Sequence, residues 1–461
     1  MNFKRSNPVK KYIYTFLILI VIGAGAFLSL SPMFEKDKPV IEIDNNIFWN
    51  LKDEIDLKLS DESGIKFYKV TFIDDQKKIE LDSEILIEPK KEINLKIKPP
   101  KLDMFFKGKN VSIKVEAVDN SKWNFFEGNG ISQTYQIKVD RKKPVANVIS
   151  NTLAIRKGGS AVAIVEVRDE NLKEAYITFN DEEKFKLTPF YKEGYFISLL
   201  AWPVTIEEFK RVNLVAIDKA NNITKTKIPL YIRPLKIRND KIKVSKGFIE
   251  NVSATVLEQS GENTPETHKD VFLQTNNFIR ATNIKKIKQV SVNSMEDTLT
   301  SNFKISPFKR LRGSKTFANF AERRHYYLDG EKIDQAWHLG IDWASFKQAP
   351  IYLSNPGKVI FNEYLGIYGN TIIVDHGIGL SSLYAHISSS NVSLGEELNK
   401  RAKLGNTGST GAVFGDHLHF GMLVQGIEVN PSEWMDRNWI KSRITDIIRE
   451  AKKTIDTKSG K

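Results

Sequence analysis

The residues best suited to bind a metal ion in this chain are histidines and carboxylates, because it contains seven histidines and no cysteine. Disulfides and thiolate zinc sites are therefore excluded. Six of the seven histidines follow residue 306. Among them, His338 precedes Asp342 by four positions, and on extended backbone both side chains can point to one face. Alone, this pair is a weak signal, because the same spacing occurs by chance in surface loops.

A second pair, His417 and His419, is a stronger indication of a metal site. On a strand, side chains two residues apart project from the same side, while Leu418 and Phe420 face a core on the opposite side. Another histidine, His386, ends a further strand-like run. The alternative interpretation of His417 and His419 is two half-exposed strand histidines that bind no ligand.

The charge of the chain limits its partners only loosely. The formal net charge is +13, which suggests attraction to nucleic acid, an anionic membrane surface or an acidic wall polymer. We favour a simpler interpretation, in which most lysines form a solvated surface. Because no basic cluster carries interleaved aromatic residues, we expect no nucleic-acid partner.

An apolar run near the amino terminus predicts a membrane anchor. Tyr12 to Leu30 carries no charge and follows four basic residues, and its roughly 19 residues are enough to cross a bilayer core of about 30 Å. The positive-inside rule then leaves the basic tail in the cytoplasm and exports the rest of the chain. A cleaved signal peptide, with Ala24-Gly25-Ala26 at the cleavage site, is the alternative. We favour the uncleaved anchor because apolar regions of signals are usually shorter.

Short β-rich runs and a weak internal repeat predict two tandem immunoglobulin-like β-sandwiches before the histidine-rich region. Lys38-Pro39-Val40 recurs as Lys143-Pro144-Val145, and Ala117-Val118-Asp119 recurs as Ala216-Ile217-Asp218. A period near 100 residues with many short strands is typical of such sandwiches. They carry no chemistry of their own, and because every candidate site residue follows residue 330 we expect both to be dispensable for the site.

The apolar period becomes helical after residue 235, as Phe248, Val252 and Val256 illustrate. The predicted fold is therefore mainly β, with an N-terminal transmembrane helix, two tandem β-sandwich domains, a helical connector packed on a neighbouring domain and a C-terminal antiparallel β domain. The predicted parts are a cytoplasmic basic tail (1–11), the anchor (12–31), sandwich 1 (38–140), sandwich 2 (143–234), the connector (235–305), the C-terminal β domain (306–440) and a tail (441–461).

The histidine motifs together resemble the lysostaphin/LytM-type zinc metalloendopeptidase family. The resemblance rests on His338-x-x-x-Asp342, Tyr384-Ala385-His386 and His417-x-His419, in that order, with Gly405, Gly408 and Gly411 before the last motif. It covers roughly residues 320 to 435 and implies an antiparallel β metallopeptidase domain.

That resemblance implies a role for each of five residues. His338, Asp342 and His419 match the three zinc ligands, and His386 and His417 match the two catalytic histidines that do not bind the metal. A catalytic zinc needs three protein ligands and one open position, and histidine pKa values lie near operating pH. Which of the two histidines is the general base stays open.

The implied activity is hydrolysis of peptide cross-links in bacterial peptidoglycan. The resemblance and the anchor together predict a single-pass protein of the inner (cytoplasmic) membrane, with its catalytic domain extracytoplasmic or periplasmic. Peptidoglycan, the inner membrane and cell-wall regulatory proteins are the expected partners, and zinc is the expected cofactor. The alternative is a non-catalytic wall-binding protein or an activator of a cell-wall amidase.

Two positions depart from the family pattern. Arg401 stands where a turn glycine is usual, and Phe414 replaces a residue that is usually small, so the local hairpin and the width of the substrate groove are expected to differ. Another histidine, His376, precedes a glycine at a turn, and we expect it to brace the site by hydrogen bonding rather than to bind metal.

Overall fold

The computed structural model describes residues 8–43, 47–75, 77–102 and 106–459. The fold is mainly β, as predicted, and a helical region precedes the C-terminal β domain. The chain folds as two compact units. The first comprises the residues up to Lys143 together with Ile217–Asn222, and the second comprises Pro144–Ala216 together with Ile223–Lys461.

The first unit begins with one long apolar helix, α1 (Pro8–Leu30). Its residues from Val9 onward have a mean hydropathy of 2.4, and their side chains are exposed. The helix is thus long and apolar enough to cross a membrane. It starts four residues before the predicted span and ends at Leu30. The hydroxyl of the next residue, Ser31, accepts a hydrogen bond from the backbone N–H of Met33.

The remainder of the first unit is one six-stranded sheet in the order β1-β3-β5-β6-β2, with β4 paired to β3. Residues along β5 alternate between buried and partly exposed, and the buried ones share a core with Leu59, Val70 and Phe72 of β3. The strands are β1 (Val40–Glu42), β2 (Phe48–Trp49), β3 (Ile55–Ile73), β4 (Lys78–Ile97), β5 (Asn110–Asp119) and β6 (Gly130–Val139).

The second unit opens with two four-stranded sheets in the orders β11-β10-β14-β15 and β12-β13-β9-β7, beside a short parallel pair, β8 and β16. This is the region predicted as sandwich 2, and its exact bounds remain a prediction. The strands are β7 (Val145–Asn151), β8 (Ala154–Arg156), β9 (Ser160–Arg168), β10 (Leu172–Phe179), β11 (Glu183–Lys186), β12 (Thr188–Pro189), β13 (Tyr195–Ala201), β14 (Val212–Asp218), β15 (Ile223–Lys227) and β16 (Tyr231–Arg233).

The connector is helical, as predicted, but it begins with a strand, β17 (Arg238–Lys243), that pairs with the C-terminal domain. Its buried apolar side chains share a core with that domain, including Ile249 and Phe272 of the connector and Leu383 and Leu423 of the domain. The helical segments are α2 (Lys246–Phe248), a π-helical segment (Ile249–Ser253), α3 (Ala254–Gln259), α4 (His268–Leu273), a second π-helical segment (Gln274–Ile279) and α5 (Arg280–Asn293).

The C-terminal domain is built on an eight-stranded sheet in the order β18-β21-β29-β25-β24-β23-β27, with β30 beside β29. The sheets β17-β19-β20 and β22-β28-β26 complete it. The strands are β18 (Lys315–Ala318), β19 (Glu322–Leu328), β20 (Glu331–His338), β21 (Ile341–Ala344), β22 (Pro350–Tyr352), β23 (Gly357–Tyr364), β24 (Asn370–Asp375), β25 (Leu380–Ala385), β26 (Ile387–Ser390), β27 (Glu397–Leu398), β28 (Lys403–Thr407), β29 (Leu418–Val424) and β30 (Ile427–Val429). The helices α6 (Pro431–Met435), α7 (Arg437–Ile440) and α8 (Asp446–Ser459) follow.

Sandwich 2 and the C-terminal domain share one hydrophobic core, a contact that the prediction of two dispensable sandwiches did not include. Every residue of β9 except the last is buried. The Trp434 indole is fully buried, and its Nε1–H donates to the Ser160 hydroxyl at 3.0 Å. The Gln425 side chain hydrogen-bonds to the backbone of Lys186 at 2.8 and 3.0 Å. Removing sandwich 2 would therefore expose part of the core of the C-terminal domain.

We expect Trp434→Ala to lower the free energy of unfolding by about 3–5 kcal/mol, because it opens a cavity in the shared core. Denaturant titrations should show one transition for β9 and β29 together. Phe346→Ala, at a side chain that is 64% exposed, is the control and should change stability by less than about 0.5 kcal/mol. Separate transitions for the two regions would contradict a shared core.

Candidate metal centre and catalytic site

Adjacent antiparallel strands bring the predicted ligand residues together. In the register of β21 and β29, Asp342 lies opposite His419, and His338 ends the strand that precedes β21. Asp342 Oδ1 is 3.0 Å from His338 Nε2 and 2.8 Å from His419 Nδ1, and the two nitrogens are 3.2 Å apart. All three side chains are buried. Three potential ligand atoms thus converge on one point.

The chemistry of this donor set fits a catalytic zinc ion. The carbonyl of Asn319 lies 2.8 Å from His338 Nδ1, which must therefore carry the proton, so Nε2 keeps a lone pair toward the centre. Two imidazole nitrogens and one carboxylate oxygen form a three-ligand set of the kind that leaves a fourth position open. On the same sheet, Leu418 and Phe420 face the core, as the two-residue spacing of the histidines predicts.

The protonation states of His338, Asp342 and His419 are also the ones that metal ligands need. Burial lowers the pKa of the His338 and His419 imidazoles, so both are neutral in the folded protein. Burial acts to raise the pKa of Asp342, but the adjacent His338 and His419 rings outweigh burial and hold that pKa well below its ordinary value. The centre is therefore a carboxylate between two neutral imidazoles.

Arg324 supports the Asp342 carboxylate, a role that the sequence did not reveal. Its Nη2 donates to Asp342 Oδ2 at 3.2 Å, which leaves Oδ1 directed at the two histidines. Arg324 lies on β19, and no local spacing connects it with Asp342. The pairing of β19 with β20 brings the two residues together.

Gly340 makes room for the His419 imidazole. A Cβ atom at this position would lie 2.5 Å from His419 Nε2 and 2.8 Å from the carbonyl oxygen of Phe420, closer than real Cβ contacts come. Only glycine therefore allows the turn before β21 to pass so close to the ring. Among the described residues, Nε2 of His419 is also buried without a hydrogen-bond partner.

His386 and His417 form a second pair beside the three converging groups. Their ring centroids are 4.9 Å apart, and the His386 ring lies 5.8 Å from that of His419. Each ring has its Nδ1 at 2.8 Å from a backbone carbonyl, that of Thr410 for His386 and that of Gly415 for His417. Because a carbonyl only accepts, both Nδ1 atoms carry protons and both Nε2 atoms can accept one.

The backbone of His386 is held in an unfavourable conformation. Its φ is +62°, in the left-handed region that costs most residues about 1 kcal/mol or more. The N–H of His386 donates to the Tyr368 carbonyl at 2.8 Å, which helps to fix this conformation. Burial, together with the neighbouring His417, holds the pKa of His386 well below its ordinary value, so this ring is neutral.

A cavity of about 550 Å³ opens onto these five residues. One wall comes from the connector, with Val244, Phe248, Phe272 and Arg280 among the lining residues. The sequence placed the connector on a neighbouring domain but did not place it at the site.

The two departures from the family pattern have a structural counterpart. Arg401 adopts φ of +74°, a conformation that favours the glycine usual at that turn. Phe414 stacks on Phe248 of the connector, with ring centroids 4.3 Å apart. The bulky side chain of Phe414 therefore narrows the rim of the cavity, because it is held there by its contact with the connector.

The other histidines lie apart from the candidate metal centre. His376 hydrogen-bonds to the carbonyl of Pro356 and to the Ser382 hydroxyl, both at 2.8 Å, and burial lowers its pKa to about 4. It braces neighbouring strands, in line with the prediction for this residue. His325 contacts Asn239, and His268 pairs with Glu250.

Comparisons with known proteins agree with this geometry. Residues 336–431 match the model of peptidase family M23. The DD-carboxypeptidase/endopeptidase Mpg of Neisseria meningitidis is 33% identical over 129 residues, 28% of each chain. The peptidoglycan DD-endopeptidase ShyA of Vibrio cholerae is 33% identical over 93 residues, 20% of this chain and 22% of ShyA. The match thus spans about a quarter of these curated relatives.

Among solved structures, the catalytic domain of the antimicrobial peptidase lysostaphin from Staphylococcus simulans is 23% identical. The alignment covers 27% of this chain and 94% of that one, with a TM-score of 0.23.

We expect Gly340→Ala to lower zinc affinity by about 10- to 100-fold, because the added methyl displaces the His419 ring. Zinc content after dialysis against a graded chelator series measures this change. Gly247→Ala is the matched control, since no atom lies within 4 Å of its Cβ position. Equal zinc affinity in both variants would show that His419 does not bind the metal.

A buried carboxyl group beneath the site makes stability depend on pH. Tyr368 packs against His419, with ring centroids 5.6 Å apart, and its hydroxyl donates to Glu428 at 3.1 Å. Burial raises the pKa of Glu428 to about 7. The folded protein therefore retains a proton that the unfolded chain releases, and this group's contribution to stability falls as pH rises from about 4.5 to about 7.

We expect Glu428→Gln to remove that dependence. Its free energy of unfolding, relative to the parent protein, should rise by about 3 kcal/mol between pH 4 and pH 8, because the buried amide cannot ionise. Denaturant unfolding of both proteins at a series of pH values gives the difference. Parallel pH profiles would mean that Glu428 is already ionised at neutral pH in the folded state.

Proposed function

Because residues 336–431 form a peptidase family M23 domain, we propose that this protein is a zinc-dependent endopeptidase that hydrolyses peptide cross-links of bacterial peptidoglycan. The observation that carries the proposal is the convergence of His338, Asp342 and His419 at 2.8–3.2 Å in a buried position beside two further histidines. The relatives named as DD-endopeptidases make the D,D-peptide cross-link the first substrate to test.

We propose that His338, Asp342 and His419 hold the zinc ion. A zinc ion bound there supplies Lewis-acid chemistry, polarising a carbonyl and lowering the pKa of a water molecule. Arg324 orients the carboxylate through its contact with Oδ2. Because the Asn319 carbonyl fixes the proton of His338 on Nδ1, its Nε2 presents a lone pair to the metal position.

His386 and His417 are the proposed proton-transfer residues. With Nδ1 of each ring fixed on a backbone carbonyl, Nε2 is available to take a proton from the attacking water and to return it to the departing amine. His417 Nε2 is 3.7 Å from Asp342 Oδ1, so this imidazole lies at the edge of the metal centre. The cavity beside both rings is where the substrate peptide would lie.

The proposed cellular location is the inner membrane, with the catalytic domain outside the cytoplasm. The supporting observation is α1, whose length and hydropathy suit a single-pass anchor. We expect the full-length chain to resist extraction by alkaline carbonate and to be released by detergent. Recovery of a soluble product that begins near Phe27 would instead identify this segment as a cleaved signal peptide.

The five site residues should fall into two groups with different defects. We expect alanine at His338, Asp342 or His419 to abolish zinc binding and activity together, because each removes one of three ligands. Alanine at His386 or His417 should leave zinc bound and lower turnover by about 10² to 10⁴-fold, as expected for loss of a proton-transfer group.

Zinc content and turnover are to be measured on the same preparations, with mass spectrometry of fragments released from cross-linked peptidoglycan. Circular dichroism controls for folding. Zinc-free His417→Ala with zinc-loaded His419→Ala would reverse the assignment within that pair. Zinc binding without cleavage of any peptidoglycan bond by the parent protein would favour a binding or amidase-activating role.

A further inference from the structure

An exposed aromatic loop lies in the first unit, close to the end of α1. Residues 122–127, which we call the aromatic loop, are all exposed. Phe125 is 94% exposed, Phe126 is 70% exposed and Trp123 is 39% exposed, and Met33 beside them is 47% exposed. Four large apolar side chains therefore form a patch that the core of this unit does not cover.

Hydrogen bonds fix the base of the aromatic loop to the segment that follows α1. The N–H of Lys122 donates to the carbonyl of Met33 at 2.8 Å. The Ser121 hydroxyl and the Asn129 side-chain amide both donate to the carbonyl of Glu35, at 2.7 and 3.1 Å. The base of the loop is thus tied to residues that lie only three to five positions beyond the last residue of the apolar helix.

The backbone of the loop holds its aromatic rings away from the core. Asn124, Phe125 and Phe126 have φ values of 52°, 56° and 73°. Left-handed backbone is unfavourable for phenylalanine, and two such residues in succession gain no core packing in return. Insertion of the rings into an apolar environment outside this unit would offset the cost of this backbone conformation.

The distance from α1 identifies that environment. Three residues span at most about 10 Å, and the headgroup layer on each side of a bilayer core is about 5–8 Å thick. A loop tied to Met33 therefore reaches the headgroup layer whenever α1 crosses the membrane. Tryptophan and phenylalanine side chains are favoured in that layer.

We propose that the aromatic loop inserts into the outer headgroup layer of the membrane that α1 crosses and holds the first unit against the lipid surface. This inference rests on the membrane anchor proposed above. Basic and acidic groups both lie around the loop, since Glu127 belongs to it and Glu35 lies at its base. Lys36 Nζ lies 4.3 Å from the Trp123 ring centroid, Lys66 Nζ donates to the Glu127 carbonyl at 2.5 Å, and Lys122 is exposed.

The absence of cysteine from the chain allows a direct test with a single label. Full-length Glu127→Cys, labelled with an environment-sensitive fluorophore, is placed in vesicles of phosphatidylethanolamine and phosphatidylglycerol that contain headgroup spin-labelled lipid. The matched control is Lys78→Cys. Lys78 pairs with Ile73 of β3, whereas Ile65 of β3 pairs with Asp119, which lies near the base of the loop. Along β3, Ile65 and Ile73 are about 26 Å apart.

We expect lipid quenching and a blue shift of the label at residue 127 and neither at residue 78. Serine at Trp123, Phe125 and Phe126 together should abolish both signals at residue 127 while flotation with vesicles stays unchanged. Flotation of the parent protein without quenching at residue 127 would overturn this inference and leave the anchor intact. Failure to float would overturn the anchor and this inference together.

Another partner for the loop would also be visible in this assay. If soluble peptidoglycan fragments, rather than lipid, shift the fluorescence at residue 127, the loop binds wall material and the proposal is wrong. If the shift depends on protein concentration in the absence of lipid, the patch joins two copies of the chain, and the proposal is likewise wrong.

Discussion

The burial of the Asp342 carboxylate between two imidazoles is the constraint on which the rest of the catalytic region depends. A buried carboxylate is costly unless hydrogen bonds or opposite charges compensate for the lost water. Here Oδ1 faces His338 and His419, and Oδ2 accepts from Arg324. The register of β21 with β29 satisfies this requirement, and the glycine at 340 permits the close approach of the strand. A shift by one residue would turn Asp342 to the opposite face.

The sequence was sufficient to predict that the three converging residues lie together, but only through the resemblance of its histidine motifs to the lysostaphin/LytM-type family. Spacing along a strand fixes which side chains share a face, not which strands meet. The sequence was also sufficient for the mainly β fold and the long apolar helix. It could not predict Arg324 or the carbonyl of Asn319, since these depend on how β19 folds back against β20. Nor could it place Tyr368 and Glu428 beneath His419, since that contact joins residues 60 positions apart. The ligand and proton-transfer roles remain predictions.

The connector and sandwich 2 show why the prediction of independent domains along the chain was incomplete. The pattern predicted helices, yet β17 joins a sheet of the catalytic domain and the helices supply one wall of the cavity. From the sequence, Phe414 was recognised only as a departure from the family pattern. Its stacking on Phe248 could not be predicted, because that residue lies 166 positions earlier. The polar contacts of Gln425 and Trp434 with sandwich 2 likewise depend on tertiary packing that no local pattern encodes.

The core that joins sandwich 2 to the end of the chain has a consequence for the order of folding. Trp434 contacts Ser160 across 274 positions, and Lys458 contacts Glu166 across 292. A chain that emerges amino terminus first must keep β9 and its neighbours incompletely packed until α6 and α8 arrive. Sandwich 2 is thus synthesised early but completes its packing late. During that interval its apolar strands are exposed, and the chain then most needs protection from aggregation.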